Sequence, residues 1–226
     1  MLQTFFNLEI IGAAWRIILA GLGNTVMLSL VVVPLGLFGG LVLAMLASVR
    51  NPWLRWPLMA WVDFFRAFPP LVLLIFLFAG LPFAGLELGG FACVCIAFFL
   101  NTGAYYGEIL RAGIESVPSG QTEAARSTGL GRVQTMLFVV LPQAVRKVIP
   151  PLLNDFIGLQ KDTALVSFIG VVEVFSRTQI VAGGSFNFTP YLACGLIFLL
   201  MTIPMARFVD WLAARDRKRQ LATIAR

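Results

Sequence analysis

The sequence predicts an all-α integral membrane protein with five transmembrane helices, and three observations carry that prediction. Of 226 residues, 59% are hydrophobic and only 12% are charged, about half the charged share of an average soluble domain. Mean hydropathy is +0.88. The apolar residues also gather into runs long enough for the roughly 20 residues that a bilayer-spanning helix needs, with proline, glycine and basic residues between them.

In chain order, the opening MLQTFFNLEIIGAAW has no basic residue before Arg16, so the first apolar segment is expected to be retained rather than cleaved as a signal peptide. The first span is read at 24 to 48 and the second at 57 to 80. The second contains Pro69 and Pro70, which remove backbone donors in mid-span. LPFAGLELGG turns the chain into a third span at 90 to 112. A polar loop, VPSGQTEAARSTGLGR at 117 to 132, is punctuated like a short helix. Pro118 ends the preceding helix, Ser119 or Gly120 caps the new one, Glu123 sits in its first turn, and Gly129 and Gly131 close it. The fourth span, 133 to 160, carries Arg146, Lys147, Asn154 and Asp155 and a second proline pair, Pro150 and Pro151. Its polar positions must face protein or water. Lys161 to Thr163 reads as a helix end followed by a fresh start capped by Asp162 or Thr163. The fifth span is read at 189 to 212.

The basic residues set the direction. Arg50 and Arg55 lie between spans one and two; Arg111, Arg126, Arg132, Arg146 and Lys147 lie around the loop between spans three and four; and Arg207, Arg215, Arg217, Lys218, Arg219 and Arg226 follow span five. The connection between spans two and three has none. By the positive-inside rule the N-terminus is outside and the C-terminus cytoplasmic. Trp53, Trp56, Trp61 and Trp211 near span ends suit an aromatic belt or simple packing.

Composition also removes several chemistries. There is no histidine, and Cys93, Cys95 and Cys194 sit in apolar runs. Zinc sites, Ser/His/Asp triads and CxxC redox pairs therefore lack their residues. The net charge of +6 is explained by topology rather than by nucleic acid. The chain contains no GxxxxGK[ST] stretch, so it is expected to hold no nucleotide. It has no nucleophile and base at a telling spacing and reads as no enzyme.

Asp63, Arg66, Glu108, Asp155, Lys161 and Asp162 fall within or at the ends of the spans, where an unpaired charge costs at least ~2.5 kcal/mol. Asn101, Tyr105 and Glu108, at i, i+4 and i+7, share one face of span three. That face reads either as a polar lining for a translocation path or as a set of structural pairs. Asp63 and Arg66, at i and i+3, are placed to pair. Arg66 and Lys161 are the cations available to a substrate carboxylate, and the helix start at Asp162 and Thr163 offers a second anion site. A purely structural cap would use the same residues.

The loop also carries a specific pattern. Glu123, Ala124 and Ala125, followed after three residues by Gly129 and after nine more by Val139, Leu141 and Pro142, resemble the EAA motif of ABC importer permeases. The family commonly has isoleucine where Val139 stands. AYYGEILRAGI (104 to 114), SGQTEAARSTGL (119 to 130), LPQAVRKVIPPLLNDFI (141 to 157) and KDTALVSFIG (161 to 170) resemble the polar amino acid branch of those permeases, and DFFRAFPPLV (63 to 72) resembles it more loosely. Ala67, Phe68, Pro70, Gly107, Ala112 and Ala164 depart from the branch's common residues.

The resemblance implies a type I importer fold with a single transmembrane domain over 1 to 226. Gly120, Glu123, Ala124, Ala125 and Gly129 would form a coupling helix that docks on a separate ATPase. The substrate path would run past Arg66, Asn101, Tyr105, Glu108, Lys161, Asp162 and Thr163. Implied partners are an ATPase dimer holding ATP and Mg, a second permease, identical or homologous, an extracytoplasmic binding protein and an amino acid substrate. The setting would be the bacterial inner membrane, with no cofactor in this chain. A passive channel or noncatalytic scaffold is the rival reading, but neither needs a rigid cytoplasmic helix with an alanine pair.

Overall fold

The computed structural model describes residues 2–47 and 51–224, without the side chains of 2–3 and 216–224. Arg50 and Arg226, and the side chains of Arg217, Lys218 and Arg219, lie outside the described residues. Every regular element among the described residues is helical. α1 (Leu2–Phe5) leads into α2 (Leu8–Ala47), a 40-residue helix that begins well before the predicted start at 24. α3 (Pro52–Ala67) is capped by Asn51, whose side chain accepts from the Trp53 amide at 3.0 Å.

The second predicted span is broken. Phe68 and Pro69 are extended, and α4 (Pro70–Ile75) restarts after a 98° bend, running through a π turn (Phe76–Gly80) and a 3-10 turn (Leu81–Ala84). α5 (Gly90–Glu115) is the third span and is followed by α6 (Ser119–Ser127). α7 (Arg132–Thr135), a π turn (Met136–Val140), α8 (Leu141–Asp162) and a 3-10 segment (Thr163–Ile169) form the fourth. α9 (Val174–Ser185) precedes α10 (Thr189–Ile224). Among the described residues, four helical stretches are long and apolar enough to cross a bilayer, or five if the bent pair counts as one span.

Two expectations about the fourth stretch are corrected. Pro150 and Pro151 do not interrupt α8, which runs through them. Asp162 and Thr163 cap no new helix. The Thr163 hydroxyl instead donates back to the Gln160 carbonyl at 2.6 Å, and α8 tightens directly into the 3-10 segment. The fresh start comes ten residues later. Gly170, at φ 76, turns the chain, and the buried Glu173 carboxylate accepts from the Phe175 and Ser176 amides at 2.7 and 2.6 Å. Sequence reading missed this cap, although Ser176 at the third helical position answers Glu173 with a reciprocal bond from the Glu173 amide at 2.7 Å.

The centre of the molecule is the seam between α2 and α5. A Cβ on Gly36 would lie 2.6 Å from Thr102 Cγ2, and one on Gly40 would lie 2.6 Å from Tyr106 Cβ and 2.8 Å from the Gly107 nitrogen. Such close approach is how apolar helices gain contact in lipid, where burial of oily surface supplies no driving force between them. Gly21 does the same against α9, where a Cβ would sit 2.7 Å from Val174 Cα. Beside the seam, Leu28, Val32, Phe65, Leu74, Phe98 and Val166 form one apolar core.

Candidate functional site

The broken span and α5 build the first part of the site. In an uninterrupted helix the amides of residues 69 and 70 would donate to the carbonyls of Phe65 and Arg66. Both residues are proline, so those donors do not exist. Asn101 Nδ2 donates to the Phe65 carbonyl at 2.7 Å and reaches the Phe68 carbonyl at 3.5 Å, while the Tyr105 hydroxyl donates to the Arg66 carbonyl at 2.9 Å. Two α5 side chains one turn apart thus replace two missing backbone donors. An unpaired carbonyl away from water costs about 1–3 kcal/mol, so this pairing holds the break open as a stable structure.

Arg66 then behaves differently from expectation. No ion pair joins it to Asp63, which is exposed. Its guanidinium lies over the Tyr105 ring, 5.5 Å from the centroid, and its Nε is buried without a hydrogen-bond partner. With its own carbonyl held by Tyr105, the side chain stays on the α5 side of the break, away from Asp63. Arg66, Asn101 and Tyr105 are therefore brought together. Glu108 turns elsewhere, to a two-pronged pair with Arg111 at 2.6 and 2.9 Å, and Arg111 also bonds Glu115 at 2.6 Å. On α8, Lys161 is exposed and Asp162 half-buried, and Thr163 is buried against its own helix.

The loop helix forms the second part. α6 has the expected nine residues, but Pro118 rather than Ser119 or Gly120 occupies its cap position, with no side-chain bond. Glu123 is consequently in the second turn, not the first. Its end follows the sequence reading. Gly129 adopts φ 92 and donates to the Arg126 carbonyl at 3.0 Å, and the Leu130 amide donates to the Ala125 carbonyl at 3.3 Å, the paired bonds of a Schellman stop. Within the alanine pair, Ala125 is buried, whereas Ala124, Glu123 and Gly120 are exposed. The base of the loop is tied down by Lys147, which donates to the Ser116 carbonyl at 2.6 Å, and by an apolar cluster of Val117, Val140 and Ala144.

Residues 33–218 match the family described as "Binding-protein-dependent transport system inner membrane component". The chain is 36% identical over 197 residues to a probable amino-acid ABC transporter permease, YckA, of Bacillus subtilis, covering 87% of each chain. It is 41% identical over 165 residues to the L-cystine transport system permease TcyB of the same organism, covering 73% of this chain and 70% of that one. Among solved structures it is similar to an amino acid ABC transporter crystallised with histidines, at TM-score 0.87 and 30% identity, covering 94% and 99% of the two chains. An inward-facing MetNI methionine ABC transporter shares the fold at TM-score 0.67 and 18% identity, covering 92% and 99%. With the family match spanning most of its length, the chain belongs to the binding-protein-dependent transport system inner membrane components.

Proposed function

We propose that the chain is the permease subunit of an ATP-driven importer of amino acids. One half of a permease dimer, it would form the translocation path and couple that path to a separate ATPase. The observation that carries this reading is α6, a stopped and anchored nine-residue helix that turns Ala124 outward at the EAA position. An isolated helix shorter than about 12 residues is marginal in water, so a rigid, outward-facing one fits a docking knob better than a passive channel or scaffold. Amino-acid permeases among the relatives, at a third or more identity, support the substrate class.

In this reading the bent pair is one of five spans, with the N-terminus outside and the C-terminus in the cytoplasm of the bacterial inner membrane. ATP and Mg reside on the partner ATPase, and an extracytoplasmic binding protein delivers substrate. ATP binding draws the loop helices together and turns the path outward, and hydrolysis resets it. The path passes Arg66, Asn101, Tyr105, Glu108, Lys161, Asp162 and Thr163. Arg66, stacked on Tyr105 beside a held-open break and with its Nε unpartnered, is the group suited to a carboxylate. The experiment is reconstitution with the cognate ATPase and binding protein in vesicles. ATP-dependent accumulation of a radiolabelled L-amino acid is expected, and its absence across the standard amino acids would overturn the reading.

A further inference from the structure

Gln160 is 6% exposed, near the end of α8, and its side-chain oxygen is buried without a hydrogen-bond partner. Evolution of a helix among apolar neighbours gives no reason to place a bare acceptor there, because the group loses water and gains nothing. Leucine or methionine would fill the position at no such cost. The depth of Gln160 follows from the packing around Gly90, the first residue of α5. A Cβ on Gly90 would lie 3.7 Å from the Ile169 carbonyl and 3.8 Å from the Phe78 ring, so the 3-10 segment, the π turn after α4 and the start of α5 meet at one level.

From that level, Asn101 lies about 16 Å down α5 at the rise of an α-helix. Gln160 lies about 16 Å back along the 3-10 segment and the last turn of α8. Lower down, Gly113 of α5 meets Val148 of α8, so the two helices run antiparallel, and twelve residues along each from that contact bring Asn101 and Gln160 to one depth. Leu159 beside it packs in the same core as Phe65, the residue whose carbonyl Asn101 receives. At this depth the protein presents two orphaned buried groups of opposite sense, a donor at Arg66 Nε and an acceptor at Gln160 Oε1. Among the described residues the other two such groups, on Thr135 and Arg177, belong to α7 and α9.

We propose that Gln160 is a substrate-contacting residue of the path, its side-chain oxygen accepting a hydrogen bond from the ammonium group of an amino acid in transit. This rests on the importer reading above, and it deepens it. A zwitterion needs a donor for its carboxylate and an acceptor for its ammonium, and the level of the break supplies one of each.

The test uses the full complex reconstituted in vesicles, with the radiolabelled L-amino acid that the wild type accumulates. Gln160→Met keeps shape and removes the acceptor, and Gln160→Glu keeps an acceptor. Gln160→Met is expected to assemble in wild-type yield with an unfolding midpoint no lower than wild type, since no internal bond is lost. Its binding of the amino acid to the complex without binding protein, and its uptake, should fall at least about tenfold, the worth of one hydrogen bond to a charged group. Gln160→Glu should stay within a few fold of wild type. Unchanged binding and uptake in Gln160→Met, or loss of assembled complex or a lowered midpoint that accounts for the uptake defect, would overturn the proposal. A wild-type complex that accumulates no amino acid would instead overturn the importer reading beneath it, whatever the variants do.

Discussion

The Tyr105 hydroxyl donates to the carbonyl oxygen of Arg66 at 2.9 Å, standing in for the amide that Pro70 lacks. Its neighbour one turn earlier, Asn101, does the same for Phe65 in place of Pro69. Removing either donor leaves a carbonyl unpaired in a low-dielectric setting. Tyr105→Phe and Asn101→Leu are each expected to lower stability by about 1–3 kcal/mol, read as unfolding midpoints in detergent. The substitution Pro70→Ala returns the missing amide, so Tyr105→Phe should cost less in that background than alone. Equal costs in both backgrounds would show that the hydroxyl is not substituting for the amide.

Of the two alanines of α6, Ala124 is exposed and Ala125 is buried, which separates docking from folding. Ala124→Arg is expected to insert and fold normally, lose association with the ATPase and abolish transport. Ala125→Arg puts a charge into a buried position and should reduce the amount of folded subunit first. Pull-down of the ATPase, normalised to folded permease, distinguishes them, and full transport by Ala124→Arg would sink the docking assignment.

Arg66 has lost its presumed internal partner, since Asp63 is exposed and unpaired with it. Arg66→Gln should therefore leave insertion and assembly intact and lower uptake, while basal hydrolysis by the ATPase stays near wild type. Uptake and ATPase activity measured on the same vesicles decide this. A joint fall with loss of complex would make Arg66 structural.

Orientation is testable directly. In a cysteine-free background, Ala84→Cys and Gln220→Cys should react with a membrane-impermeant thiol reagent from opposite sides, position 84 from the periplasm. Labelling of both from the periplasmic side would show that the five-span count is wrong.

The all-helical membrane character, the loop helix and its glycine stop were legible because they rest on local signals: apolar length, turn residues and the αL tolerance of Gly129. The partners of charged residues were not. Asp63 and Arg66 at i and i+3 look like a pair on a continuous helix, but the prolines at 69 and 70 recruit Tyr105 from 39 residues away, and that bond fixes where the Arg66 side chain goes. Likewise, Asn101, Tyr105 and Glu108 share a helix face in sequence, yet only two of them serve the break, because Arg111 at i+3 claims Glu108. The cap at Glu173 was hidden by the apolar run around it. A buried glutamate among valines reads as an anomaly until the two amides it receives are seen.

The glycine seam has a mechanical consequence. Where Gly36 and Gly40 meet Thr102 and Tyr106, little more than main chain, Cβ atoms and the Thr102 methyl separates α2 from α5. Side chains elsewhere absorb small displacements by changing rotamer; here there is no such cushion. The two helices are built to travel as a single beam, and in the proposed reading a pull arriving through α6 at the foot of α5 would be passed along it. The yielding point is then the elbow at residues 68 to 70, where α3 ends and the chain bends before α4 restarts.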